Sequence, residues 1–92
     1  MNGRQPRYSN EEAFRRGTEW YFKAIRPKLG PEFKDKYVAI DIDTGEYEIA
    51  DDSLLATHAL LARNPNADIW MQRVGHRASV SFGGQPTEDP AW

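Results

Sequence analysis

Several groupings of side chains in this sequence have types and spacings that could carry chemistry. Asp43-Thr44-Gly45 spells the signature of aspartic peptidases, in which an Asp held at a dimer axis shares a proton with its twin. That chemistry needs an apolar strand before the motif, a small residue after it and a second hydrophobic-Gly motif. Here Glu46 follows, the next strand returns at once, and 47 residues remain after Gly45. The plainer reading is an Asp-x-Gly hairpin turn. Asp41-x-Asp43-x-Gly45 with Asp52 also resembles part of a calcium loop. An EF-hand loop places its glycine sixth, a Glu twelfth and a helix in front. In this chain glycine is fifth, Asp is twelfth and the lead-in alternates like a strand.

The histidines and the remaining acids read as structural too. His58 falls in the apolar stripe of a helix with no nucleophile or acid near it in sequence, which is the setting of a hydrogen-bonded core histidine. His76-Arg77 falls in a turn that could meet an anion but reads as solvated. Asp41, Glu46 and Glu48, with Tyr37 and Ser79/Ser81, are expected on the open face of a sheet. Paired carboxylates run acid–base chemistry only in a concave, partly desolvated site, so this face reads as solvated or as a docking surface. No residue is assigned as catalytic, cofactor-binding or metal-ligating, no cofactor is expected, and the chain reads as non-enzymatic.

The elements that hold these residues follow from spacing. Ser9-Asn10-Glu11-Glu12 is a capping-box pattern opening a helix that runs to about Arg26, with Pro27 and then Gly30-Pro31 as stops. Lys36–Ile42 and Glu46–Ile49 alternate around the Asp43-Thr44-Gly45 turn and read as a hairpin. Asp51 and Asp52 cap a second helix through about Arg63, ended by Asn64-Pro65. Asp68–Val74 and Ala78–Phe82 read as two further strands joined at Gly75-His76. The order α-β-β-α-β-β gives an α+β fold, a four-stranded mainly antiparallel sheet with both helices on one face. Residues 1–8 and 83–92 read as flexible tails around a single domain spanning 9–82.

Length and composition bound the class. Ninety-two residues are enough for one domain, and 39% hydrophobic with 28% charged residues excludes a fully disordered chain. No apolar run approaches the span of a bilayer and the N-terminus lacks a signal-peptide core, so a cytoplasmic protein without membrane contact is expected. Zero cysteines exclude disulfides and thiolate sites. The net charge of -2 hides a division. Residues 1–36 carry nine Lys/Arg against five acids, and residues 37–92 carry three against nine. The basic third makes a small nucleic-acid-associated regulator the alternative reading. The aromatics among those cations fall on the buried arc, where they cannot stack on bases, and that disfavours nucleic acid as a partner.

The helices point to a protein partner. On a wheel, Ala13, Phe14, Gly17, Trp20, Tyr21, Phe22, Ala24, Ile25 and Leu29 fill an arc of roughly 200°, about twice what a helix lying on a sheet requires. From Ser53 to Ala62 the second helix has no charged side chain. Leu54, Leu55, His58, Leu61 and Ala62 are expected to make its core stripe, leaving Ala56 and Leu60 outward. The expected interface therefore comprises Ala13, Gly17, Trp20, Phe22, Ala56 and Leu60, covered by a protein partner or by a second copy in a homodimer.

Lys36-Tyr37-Val38-Ala39-Ile40-Asp41, Asp43-Thr44-Gly45-Glu46-Tyr47-Glu48-Ile49, the cap Asp51-Asp52, and Leu60-Leu61-Ala62-Arg63-Asn64-Pro65 leading to Ile69-Trp70 and Arg73-Val74-Gly75 form an ordered series. Over residues 10–84 it resembles a family of small uncharacterised bacterial proteins, mainly cyanobacterial, with a KYVAID…TG-Y-I hairpin. Its members are often encoded beside retropepsin-like aspartic peptidases. The resemblance implies an adaptor or antitoxin-like partner protein, with the neighbouring peptidase as a candidate partner, and it brings no catalytic residue. Family members often carry Tyr-Pro where this chain has His76-Arg77.

Overall fold

The computed structural model describes residues 8–77 and 91–92. Helix α1 spans Asn10–Trp20, with the Ser9 hydroxyl accepting from the Glu12 amide. Glu12 does not return the bond as a capping box would. Its carboxylate goes to Arg15 and Arg16 on the next turn. Beyond Trp20 the helix widens into a π turn, Tyr21–Ile25, and then tightens into a 3-10 turn, Arg26–Lys28. The widening lies just ahead of Pro27, whose ring clashes with the carbonyl four residues back and which has no amide to give. A second 3-10 turn, Pro31–Phe33, leads to the sheet.

Strands β1 (Tyr37–Asp41), β2 (Tyr47–Ala50) and β3 (Ile69–Arg73) form an antiparallel sheet in the order β2-β1-β3. Val38 stands opposite Ile49 and Gln72, and Ile40 opposite Tyr47 and Trp70. Helix α2, Ser53–Arg63, connects β2 to β3 and begins at Asp52, whose carboxylate accepts from the Leu55 amide at 2.8 Å. The fold is α+β, two helices with a three-stranded antiparallel sheet. The fourth strand expected at Ala78–Phe82 lies outside the described residues.

The two helices do not share a face. Val38 and Ile40 point to one side, into a cluster with Tyr21, Ile25 and Val74. Ala39, between them on β1, points to the other side and packs with Ala56, Leu60 and Ala67. The expectation of both helices on one face is corrected by this pleat. Because successive residues alternate sides, β1 is a central strand buried on both surfaces, and Val38 through Asp41 are all inside. The face expected to be open is the one α2 covers.

Of the segments expected to be tails, the described residues Tyr8 and Trp92 both touch the fold. The Tyr8 ring lies under the Arg16 guanidinium, 4.3 Å away, and its hydroxyl donates to Asp43. Trp92 packs against the first cluster, its carbonyl accepting from the Tyr21 hydroxyl.

Candidate functional site

At the end of β1 the acidic turn is fully engaged in structure. Asp41 is 1% exposed. One of its carboxylate oxygens accepts from the Asp43 amide at 3.0 Å and the other from the Asn64 side-chain amide at 2.6 Å. Gly45 closes the turn by donating to the Asp41 carbonyl at 2.7 Å, with φ at +84°. The Trp20 ring lies 2.7 Å from where a Gly45 Cβ would stand, and the Trp20 indole donates to the Ile42 carbonyl at 3.0 Å. Asp43 accepts from Tyr8. The three residues thus form a hairpin loop roofed by two aromatic side chains. Among the described residues no group of three or more His, Cys, Asp or Glu side chains is placed to hold a metal ion.

Beside this turn, residues 44–49 and Arg63 line a shallow groove along the outer edge of β2. Arg63, at the end of α2, pairs with Glu48, reaches Glu46 at 3.5 Å, and points a guanidinium nitrogen at the Tyr47 carbonyl at 3.5 Å. Its hydrogen bond to Glu48 holds the guanidinium above its ordinary pKa, with the Glu46 charge adding to it. Arg63 and Glu46 are about half exposed and Glu48 27% exposed, so their contribution to stability is small. Their effect is positional, since charged side chains along an outer strand edge that pairs with no other strand among the described residues discourage indiscriminate strand pairing.

The expected interface on α1 is largely consumed by the molecule itself. Gly17 is buried, and the Trp70 ring occupies the place of its missing side chain, 2.3 Å from an ideal Cβ. Phe14 meets the same indole edge-on at 5.4 Å. The small-residue strip therefore admits a ring of this chain's own β3, not the backbone of a second subunit. Ala13 is half-buried, and Trp20 is spent on the turn. Phe22 is 37% exposed, with Trp92 edge-on at 4.6 Å. On the polar side of α1, Arg15 and Arg16 pair with Glu12, Arg15 also with Glu19, and Lys23 with Glu19. These cations are neutralised within the helix.

On α2 the expected orientation is reversed. Ala56 and Leu60 are fully buried against β1, whereas Leu54 is 63% and Leu55 56% exposed. His58, Ala59 and Ala62 are exposed with them, and Leu61 alone of the expected stripe is partly inside. Ala56 packs with Ala39 of β1, and alanine against alanine lets the helix approach closely there, with Leu60 buried beside it. The outer face of α2 is largely apolar, with Ser53 and His58 as its polar residues, and has no Asp, Glu, Lys or Arg before Arg63.

Comparisons with protein-family models, with characterised proteins and with solved structures find no match.

Sequence reasoning also missed Asp35. This residue has φ of +71°, in the left-handed region that costs a non-glycine residue strain. Its amide donates to the Val74 carbonyl, and its carboxylate bonds the His76 imidazole at 2.6 Å. The hydrogen bond from His76 holds the Asp35 carboxyl below the usual range, with Lys34 and Arg73 adding charge attraction. A signal was available, because Lys34-Asp35-Lys36 ahead of an alternating strand is a turn in which Asp tolerates the left-handed conformation. The His76 partner lies 41 residues away and had no local signature.

Proposed function

We propose that this chain is a small, non-catalytic protein-binding module that works through the outer face of α2, with a second copy as its first partner. One observation carries the reading: Leu54 and Leu55 are more than half exposed on a helix whose outward face has no charge before its last residue. Isolated exposed leucines are ordinary, but two adjacent ones continued by Ala59 and Ala62 around the exposed His58 make a largely apolar, uncharged surface. A two-fold axis beside α2 would bring Leu54 and Leu55 of both copies together. Covering both would contribute on the order of 3 kcal/mol per protomer before association costs. The resemblance of the β1–β2 hairpin to the bacterial family makes an aspartic peptidase the first unlike protein to test on the same surface. A cytoplasmic location belongs to the same reading. Among the described residues no helix is long and apolar enough to cross a membrane.

The test is sedimentation equilibrium of the wild type and of Leu54→Glu/Leu55→Glu. Both positions are solvent-facing, so the double variant is expected to keep its fold and become a monomer. A wild type that stays monomeric at high micromolar concentration removes the homodimer. If the double variant also retains every protein that co-purifies with the wild type, the α2 surface is not the binding surface.

A further inference from the structure

The outer face of α2 carries a titratable side chain at its centre. His58 is four residues from Leu54, three from Leu55 and four from Ala62, the spacings at which side chains are neighbours on a helix surface. All four residues are exposed. A surface that covers Leu54, Leu55 and Ala62 therefore covers the imidazole between them as well. Along α2 no Asp, Glu, Lys or Arg precedes Arg63. The charges at the ends of the helix are engaged elsewhere. Asp51 pairs with Lys36, Asp52 accepts from the Leu55 amide, and Arg63 is turned to the β2 edge against Glu48 and Glu46. The sheet lies beneath the opposite side of the helix, where Ala56 and Leu60 pack with Ala39.

A histidine changes charge between about pH 5 and 8, and covering it with apolar surface favours the neutral form. A second copy seated on this face brings the same residues: two leucines, alanines and another imidazole. Its nearest acids, Asp51 and Asp52, are already engaged, so it offers His58 no carboxylate to hold a proton there. We propose that His58 is a pH-sensitive switch on the self-association proposed for α2, and the switch rests on that reading. The neutral imidazole is buried between the two copies, and its protonation drives them apart. The separated chains bind the proton that the pair excludes, so association is strongest above the histidine range and is lost as pH falls through it.

The experiment is sedimentation equilibrium of the full chain at about pH 8 and about pH 5.5, an interval in which carboxylates stay ionised. The wild-type dissociation constant is expected to rise at least about tenfold at the lower pH. His58→Gln, which places a neutral amide at an exposed position, should associate equally at both. His76→Gln removes the chain's other histidine, bonded to Asp35, and should keep the wild-type response. A wild-type dimer equally tight at both values, or tighter in acid, overturns the switch without touching the self-association. A response that persists in His58→Gln, or disappears in His76→Gln, also overturns it. A wild type that is monomeric at both values overturns the switch and the self-association together.

Discussion

The two faces of the sheet are built from different kinds of side chain, and each leaves a different surface on its helix. Toward α1 the sheet turns Val38, Ile40 and Trp70, which meet Tyr21 and Ile25. Toward α2 it turns Ala39, which meets Ala56, Leu60 and Ala67. Large rings on the first face need a helix that can make room, and Gly17 provides it. They also recruit distant covers, with Tyr8 against the turn and Trp92 against the π turn. Ala39 and Ala56 let α2 approach closely with Leu60 buried beside them, and Leu54 and Leu55 are left outside. The face rich in aromatics satisfies itself. The face turned to α2 leaves two leucines of its helix at the surface.

That contrast can be broken most directly on α2. Leu60→Ala should destabilise by about 3 kcal/mol, because it leaves a cavity against β1, whereas Leu54→Ala should change stability by less than about 0.5 kcal/mol. Equal urea midpoints for the two variants would reverse the assignment of the helix face. On the α1 side, Gly17→Ala should cost about 2 kcal/mol, because its methyl group would enter the Trp70 ring. A double-mutant cycle with Trp70→Leu should recover much of that loss, and simple additivity would mean that the ring is not the obstacle.

The junction between the faces allows finer tests. Gly45→Val should lose about 1–2 kcal/mol, since it combines φ of +84° with the Trp20 ring in its path. Asp43→Asn should leave the melting temperature nearly unchanged, because an amide oxygen can still accept from Tyr8. The smallest effect belongs to Asp35 and His76. A carboxyl depressed below its ordinary value of 3.8 stabilises the fold above that pH, and the contribution is lost as pH falls through the lower folded value. Wild type should therefore be more stable than His76→Ala near neutral pH, and the two denaturation midpoints should converge below about pH 4. A difference that persists in acid would assign the effect to packing of the imidazole.

Much of the fold was legible locally. Ser9 and Asp52 are the N-caps, Gly45 has positive φ, and the β1–β2 hairpin has the expected turn, because each depends on residues within a few positions of one another. The candidate site was legible only in its chemistry. The absence of charge from Ser53 to Ala62 marks α2 as a helix with apolar surface to spare. Which face that surface lies on could not be read, because a helix with leucine on several sides has no polar stripe to orient it.

What the sequence determined by itself is therefore the set of elements, their caps and turns, and the presence of more apolar helix surface than one sheet face can cover. Those properties follow from backbone preferences and from neighbours along the chain. Tertiary structure decided on which side of the sheet each helix lies, which leucines are buried and what occupies the arc of α1. Those outcomes turn on contacts between distant positions. Ala39 admits Ala56, Gly17 admits Trp70, and Tyr21 receives Trp92. In each case the fit depends on the size of a side chain at one place and the space left at another, and no local pattern encodes that pairing.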